Sequence, residues 1–318
     1  MNGYEVGARQ QLIFVDSARA YFNGTFVPET QVMIPYRDRS FNRGDGCFDM
    51  TRTFDGRIFR IEEHVERLYR SLRYLRIDIG LEPKEVVAIS EEVVQRNEAL
   101  RAAAGDWWVA QRVSRGVDAI GDEGWAHTGP QLIVDCTPLP LKARAAQFRD
   151  GIDVVIPSVR RIPPPMLSPR AKTHNYLNLI LADKEVKAAQ PQAWSVLLDE
   201  NGNLCEGIGS NIFVVRDEHV YTPREKYVLP GISRRTAMEL AAQLGLAVEE
   251  RDLDVYDALT ADEVFLTSTS LCICPVRSVS GQLIRDGRVP GPITRRITQA
   301  YIEHVGTDFV AQYLSRLA

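Results

Sequence analysis

Over the first sixty residues hydrophobic and polar positions alternate in short runs, and then the period changes. Ala20 to Val27, folded about Asn23-Gly24, and Gly46 to Phe54, followed by Asp55-Gly56 and Arg57 to Ile61, read as antiparallel strands joined by tight turns. From Ile61 the apolar residues Ile61, Val65, Leu68, Leu72 and Leu75 recur at helical spacing. Glu62 and Glu63 lie in the first turn of that helix, where its dipole favours anions. A second helix is expected from Pro83 to Ala104, stopped by Gly105, and strands at Trp107 to Ser114 and Gln131 to Cys136. Between those strands lies Arg115 to Pro130, long enough to serve as a lid or mouth.

Thr137 to Arg149, with two prolines and the polar Lys142-Ala143-Arg144, predicts an interdomain linker. The expected organisation is a small domain over 1–138, a linker over 139–149 and a larger domain over 150–318. In the second half, Ile152 to Val159 reads as a strand. Lys172 precedes a helix whose first half, Tyr176 to Ala182, is almost wholly apolar. A meander from Trp194 to Tyr221 turns at Asn201-Gly202 and Asp217-Glu218. Leu229-Pro230-Gly231-Ile232-Ser233 introduces a helix with Ala237, Leu240, Ala241 and Leu244 on one face and Ser233 as the expected N-cap. A strand at Glu263 to Thr267, a hairpin about Ser280-Gly281 and a last helix from Pro292 complete the chain.

Composition narrows the class. The chain has 318 residues, 45% apolar and 25% charged, which suits a globular protein near the length where single cores divide, so two lobes sharing a cleft are expected. A net charge of −4 lacks the basic excess of nucleic-acid binders. Five cysteines without C-x-x-C spacing, and five histidines without a ligand motif, indicate reduced thiols and no metal centre. Met1 to Gln10 lacks a signal-peptide pattern, and no apolar run reaches the ~18–20 residues that span a bilayer, so a cytoplasmic protein is expected.

Only six of the 38 basic residues are lysines, and Lys172 alone sits at a loop-to-helix junction before an apolar segment. That setting suits a lysine that acts as nucleophile or proton carrier; the plain alternative is a side chain snorkelling from a helix start. Gly231-Ile232-Ser233 offers first-turn amides to an anion, and Ser268-Thr269-Ser270 a cradle of hydroxyls and amides, although many helices and turns begin this way without binding anything. Glu206, followed by Gly207 and Gly209, places a carboxylate where a ligand approaches the backbone closely. These glycines lead into a strand rather than a helix, which excludes a dinucleotide fingerprint, and no G-x-S-x-G is present. Arg67 lies beside the apolar stripe of a helix rich in solvated arginines.

Taken together, Glu206-Gly207-x-Gly209-Ser210-Asn211-Ile212-Phe213, Leu229-Pro230-Gly231-Ile232-Ser233-Arg234, Thr267-Ser268-Thr269 with Pro275-Val276, and Gly291-Pro292-Ile293-Thr294-Arg295-Arg296 resemble one family over nearly the whole chain. It is the fold type IV pyridoxal-5′-phosphate enzymes: branched-chain aminotransferases, D-amino-acid transaminases, (R)-amine transaminases and aminodeoxychorismate lyases. Arg43-Gly44-Asp45-Gly46-Cys47-Phe48-Asp49 and Glu63-His64-Val65-Glu66-Arg67-Leu68 are similar to that family's small domain. The resemblance implies a two-domain α+β fold, D-amino-acid-aminotransferase-like, and a homodimer.

By the same resemblance Lys172 holds pyridoxal 5′-phosphate covalently and shuttles the proton, Glu206 partners the pyridine nitrogen, and Tyr176 bonds the phenolic oxygen. Arg67, Ile232, Ser233 and Thr269 become the phosphate seat, with Ser210, Asn211, Leu229 and Ser268 also lining the cofactor. The implied partners are an amine donor and a 2-oxo acid acceptor. For the substrate, Val117 to Gly121 replaces the Arg-x-His of D-amino-acid transaminases, and Trp108 and Ala110 stand where branched-chain enzymes carry Tyr and Arg. The expected substrate residues are therefore Arg43, Arg52 or Arg115 for the carboxylate, Phe48 and Trp108 for an apolar pocket, and Ser270 and Leu271. The alternatives are a lyase that eliminates pyruvate and a catalytically silent binding protein on the same scaffold.

Overall fold

The computed structural model describes residues 17–121 and 126–317. Met1 to Gln10 and part of the Arg115 to Pro130 loop lie outside the described residues. Packing divides the chain into a first unit, through Leu139 with Ala171–Asn175, and a second, Pro140–Arg170 with Tyr176 onward.

The first unit contains β1 (Arg19–Phe22), β2 (Thr25–Pro28), α1 (Arg39–Arg43), β3 (Gly46–Phe54), β4 (Arg57–Ile58), α2 (Ile61–Leu75), α3 (Pro83–Arg96), α4 (Glu98–Ala104), β5 (Trp107–Ser114) and β6 (Gln131–Pro138). Its six strands form one antiparallel sheet in the order β2-β1-β6-β5-β3-β4. The apolar stripe read on α2 packs into a core with Val86 and Val93 of α3 and Trp107, Val109 and Val113 of β5. The helix expected over 83–104 breaks at Asn97. This buried amide accepts from the Arg19 backbone N–H at 2.8 Å and donates to the carbonyls of Arg19 and Val93, so its hydrogen-bonding capacity serves the end of β1.

The second unit contains α5 (Leu141–Asp150), β7 (Ile152–Val155), α6 (Leu177–Ala189), β8 (Trp194–Ser195), β9 (Asn211–Arg216), β10 (His219–Thr222), α7 (Ile232–Gln243), β11 (Val248–Glu250), α8 (Val255–Leu259), β12 (Glu263–Ser268), β13 (Cys272–Val279), β14 (Gln282–Leu283), α9 (Pro292–Val305) and α10 (Phe309–Leu314). Its mixed sheet runs β11-β10-β9-β12-β13-β7-β8, with β14 paired to β13. Phe213 of β9 faces Phe265 of β12 in register, their rings stacked at 4.7 Å.

Two expectations change. The stretch expected as a linker is largely helical, because Leu141, Ala145 and Phe148 share one face, and Phe148 stacks on Tyr313 of α10 at 4.3 Å. On α6, Leu179 and Ala182 are buried, while Leu177 and Leu181 are 67% and 50% exposed.

Candidate active site

Lys172 belongs to the first unit, where its short segment pairs with the start of β3. Phe48 N–H donates to the Lys172 carbonyl at 2.9 Å, and His174 N–H to the Gly46 carbonyl at 2.9 Å. The Lys172 N–H donates to Ser71 Oγ of α2 at 3.0 Å. Held at both sides, the lysine places Nζ 4.5 Å from the centre of the Phe48 ring. His174 stacks on that ring at 5.5 Å and bonds Ser40 Oγ through Nδ1. Burial, followed by the charge of Arg112, brings the His174 pKa down to about 4, so its imidazole is neutral at physiological pH.

On the opposite face of β3, Asp49 is wholly buried under α2. Arg67 donates to it in a fork, Nε to Oδ2 and Nη2 to Oδ1, each at 2.8 Å. His64, one helical turn before Arg67, lies 2.6 Å from Oδ1 through Nδ1. Burial alone would raise the Asp49 carboxyl, but the charge of Arg67, with His64 beside it, outweighs this and holds it far below the usual carboxylate range. Burial also lowers the His64 pKa; Asp49 is acceptor-only, so Nδ1 of the neutral ring carries the proton. Arg67 stands out in the sequence, whereas its partners Asp49 and His64 do not. The available signal was an acid on β3 combined with His and Arg three residues apart on the buried stripe of α2.

The three arginines expected at the substrate carboxylate take separate positions. Arg52 is 1% exposed, with Nε bonded to the Thr53 carbonyl and its guanidinium 4.1 Å from the Phe54 ring. Arg115 donates to Asp45 and to the carbonyls of Leu75 and Arg76. Arg43 pairs with Asp118 at 2.6 Å on the surface. In contrast, Phe48, Met50 and Trp108 lie partly exposed on one face of the sheet, because β3 and β5 pair Met50 with Ala110 and Arg52 with Trp108.

In the second unit Glu206 is 5% exposed; Oε1 accepts from Arg161 at 2.9 Å and Oε2 from the Leu229 N–H at 2.8 Å. Asn211 donates to the Leu229 carbonyl at 3.1 Å, tying the end of the Glu206 segment to the loop before α7. That helix begins one residue after Gly231, so Ser233 is in its first turn and is not the N-cap. Gly231 carries no side chain to cap with, which leaves the first-turn amides of Ile232 and Ser233 without a side-chain acceptor. The turn between β12 and β13 is tight: Ser268 Oγ accepts from Leu271 N–H at 3.1 Å, and buried Cys272 adopts φ 57°. Tyr313 donates to the Ser270 carbonyl at 2.7 Å, and Arg144 bonds Ser270 Oγ from beside the Trp194 ring. Tyr176 caps α6 and packs against Leu179 and Leu197. Thr269 sits in the β12–β13 turn.

The model of the amino-transferase class IV family matches residues 46–279. The chain is a member of the class IV aminotransferases. The branched-chain-amino-acid aminotransferase of Escherichia coli is 30% identical over 287 residues, 88% of this chain and 91% of that protein. The D-alanine aminotransferase of Bacillus licheniformis is 29% identical over 283 residues, 89% and 95% of the two chains. Among solved structures, an Escherichia coli branched-chain aminotransferase superposes with a TM-score of 0.83 at 29% identity, covering 90% of this chain and 94% of that one. The enzyme from Thermobaculum terrenum, solved in its pyridoxal-phosphate form, gives 0.76 at 26% identity, with 95% and 97% covered.

The cofactor of this class IV aminotransferase is pyridoxal 5′-phosphate, and the residues present fit it. Glu206 is a buried carboxylate with lone pairs beyond the two in use, as a pyridine-nitrogen partner must be. The uncapped amides of α7 suit a phosphate. Buried Ser210 Oγ and Thr267 Oγ1 have no hydrogen-bond partner among the described residues, which marks hydroxyls awaiting an acceptor. A Cβ on Gly231 would run into Asn211 Oδ1, so the approach to that loop depends on glycine.

Proposed function

We propose that this aminotransferase moves an amino group between an amino acid or chiral primary amine, of branched-chain L-amino-acid, D-amino-acid or (R)-amine type, and a 2-oxo acid. The observation that carries the reading is the lysine beside an aromatic ring: Lys172 Nζ lies 4.5 Å from Phe48, on the sheet face that also bears Met50 and Trp108. An apolar side chain suits that face, and a branched-chain type also agrees with the names of several relatives.

When bound, the cofactor supplies the electron sink that makes the substrate Cα proton removable. Lys172 Nζ holds the cofactor and then carries that proton, as base in one half of the exchange and as acid in the other. Glu206, fixed by Arg161 and the Leu229 amide, keeps a proton on the ring nitrogen. Tyr176 bonds the phenolic oxygen. Ile232 and Ser233 amides, Thr269 and Arg67 hold the phosphate, with Ser210, Asn211, Leu229 and Ser268 shaping the seat. Ser270 and Leu271 line the substrate side. A homodimer accords with exposed Met33, Tyr36 and Phe41, each more than 70% accessible, and a reducing compartment with five buried free thiols.

The test follows the visible absorption band of the holo-protein after mixing separately with L-leucine, D-alanine and (R)-1-phenylethylamine. Bleaching of the band by one donor, and its return with a 2-oxo acid, is expected. A band that none of the three changes, together with release of pyruvate from aminodeoxychorismate, would replace the transaminase with the lyase.

A further inference from the structure

The face of the first unit's sheet that carries Phe48 and Trp108 holds one arginine that the sequence reading passed over. Register pairs Phe48 of β3 directly with Arg112 of β5, so the two side chains leave the sheet on the same side. The Arg112 guanidinium carbon lies 6.0 Å from the centre of the Phe48 ring, the ring against which Lys172 Nζ rests at 4.5 Å. Its side chain is 39% exposed and therefore reachable.

What Arg112 bonds to is more telling. Nε donates to Asp135 Oδ2 at 2.9 Å, across to β6. Among the described residues neither Nη has a hydrogen-bond partner. Asp135 thus orients the planar fork by one edge and leaves its terminal nitrogens to something else. Arg52 and Arg115, by comparison, spend their donors inside the protein. The other ionisable groups near Arg112 are His174, which is neutral, and half-buried Glu29, whose carboxyl is raised by burial and by Asp135, so neither adds a fixed charge comparable to that of Asp135.

We infer that the terminal nitrogens of Arg112 bind the α-carboxylate of the 2-oxo acid and amino acid substrates, with Asp135 as the residue that positions the fork. The inference rests on the aminotransferase reading of Lys172 and assigns the carboxylate contact to the strand that carries Trp108. Substrates without a carboxylate would forgo this contact, so Arg112 sets preference for amino acids over simple amines.

The experiment compares wild type with Arg112→Gln, Arg112→Lys and Asp135→Asn. Steady-state kinetics give kcat and KM for pyruvate and 2-oxo-4-methylpentanoate, and calorimetry gives Kd for 4-methylpentanoate, which keeps the carboxylate and lacks the reactive carbonyl. Removing a charge-assisted pair should raise KM and Kd ~10- to 100-fold in Arg112→Gln, with kcat within about threefold. Arg112→Lys should recover part of the loss, and Asp135→Asn should give a smaller rise in the same constants. Values for Arg112→Gln within twofold of wild type would overturn the assignment. If wild type fails to transaminate any 2-oxo acid, the proposed function falls, while the calorimetric comparison still decides the role of Arg112.

Discussion

Replacing Asp49 with Asn removes one charge and almost no volume from a fully enclosed polar cluster of the first unit. The carboxylate is 0% exposed and accepts from Arg67 twice at 2.8 Å and from His64 at 2.6 Å. An amide there keeps one acceptor, turns an N–H toward a donor, and leaves the Arg67 guanidinium, 3% exposed, without its counter-charge. Breaking a buried pair from one side costs about 3–5 kcal/mol, whereas replacing both members by apolar groups of similar size often costs little. For a chain of 318 residues that is a fall in thermal midpoint of roughly 4–8 °C. The assay is far-ultraviolet circular dichroism on heating, with urea midpoints, on cofactor-free Asp49→Asn and the cofactor-free double variant Asp49→Leu/Arg67→Met, since bound cofactor would add its own stabilisation through Arg67. The expected signature is a single variant less stable than the double. A single variant within about 1 kcal/mol of wild type, or a double that is the worse of the two, would refute the reasoning. The sign with pH is also set: Asp49 is held below its ordinary 3.8, so its contribution is present above that value and lost as pH falls through the lowered one.

Three further outcomes follow from the same geometry. Gly231→Ala should loosen cofactor binding by about tenfold or more in equilibrium dialysis while leaving the thermal midpoint of the cofactor-free protein nearly unchanged, because the new Cβ displaces Asn211 from the loop before α7. With His174 lowered from 6.5 to about 4, the unfolded chain binds the extra proton between those values. Stability should therefore fall by up to roughly 3 kcal/mol as pH drops from about 6.5 to 4, and His174→Gln should flatten that slope in urea titrations at each pH. The five buried cysteines should resist a thiol reagent in the native protein and react fully in urea, since burial, with Asp49 adding to it, pushes the Cys47 thiol up to about 12.

Much of this molecule is written in local pattern. The stripe of α2, the turns at Asn23-Gly24 and Asp55-Gly56 and the strands β3, β5, β9 and β12 follow from period and turn chemistry, which act over a few residues. Family motifs picked out Lys172, Glu206 and the Leu229 to Ser233 loop. What escaped depends on contacts distant in sequence. Asn97 breaks a helix because it serves β1, 78 residues away. The prolines and charges of 137–149 concealed α5, whose three buried residues, Leu141, Ala145 and Phe148, find partners only in the folded second unit. Asp49 stands in the sequence only as part of a motif, and Arg112 as one arginine among thirty-two; the packing of α2 on β3 sets the first against Arg67, and strand register sets the second against Phe48. The N-cap lies two residues before Ser233, at Gly231, whose lack of a side chain leaves the first-turn amides to a phosphate.

Lys172 is proposed to carry the cofactor. Borohydride reduction of the holo-protein, followed by proteolysis and mass spectrometry, tests it directly. A phosphopyridoxyl mass is expected on the peptide containing Lys172, one per chain, and none in Lys172→Ala. The same mass on the peptide of Lys142, Lys184 or another lysine, with Lys172 unmodified, would contradict it.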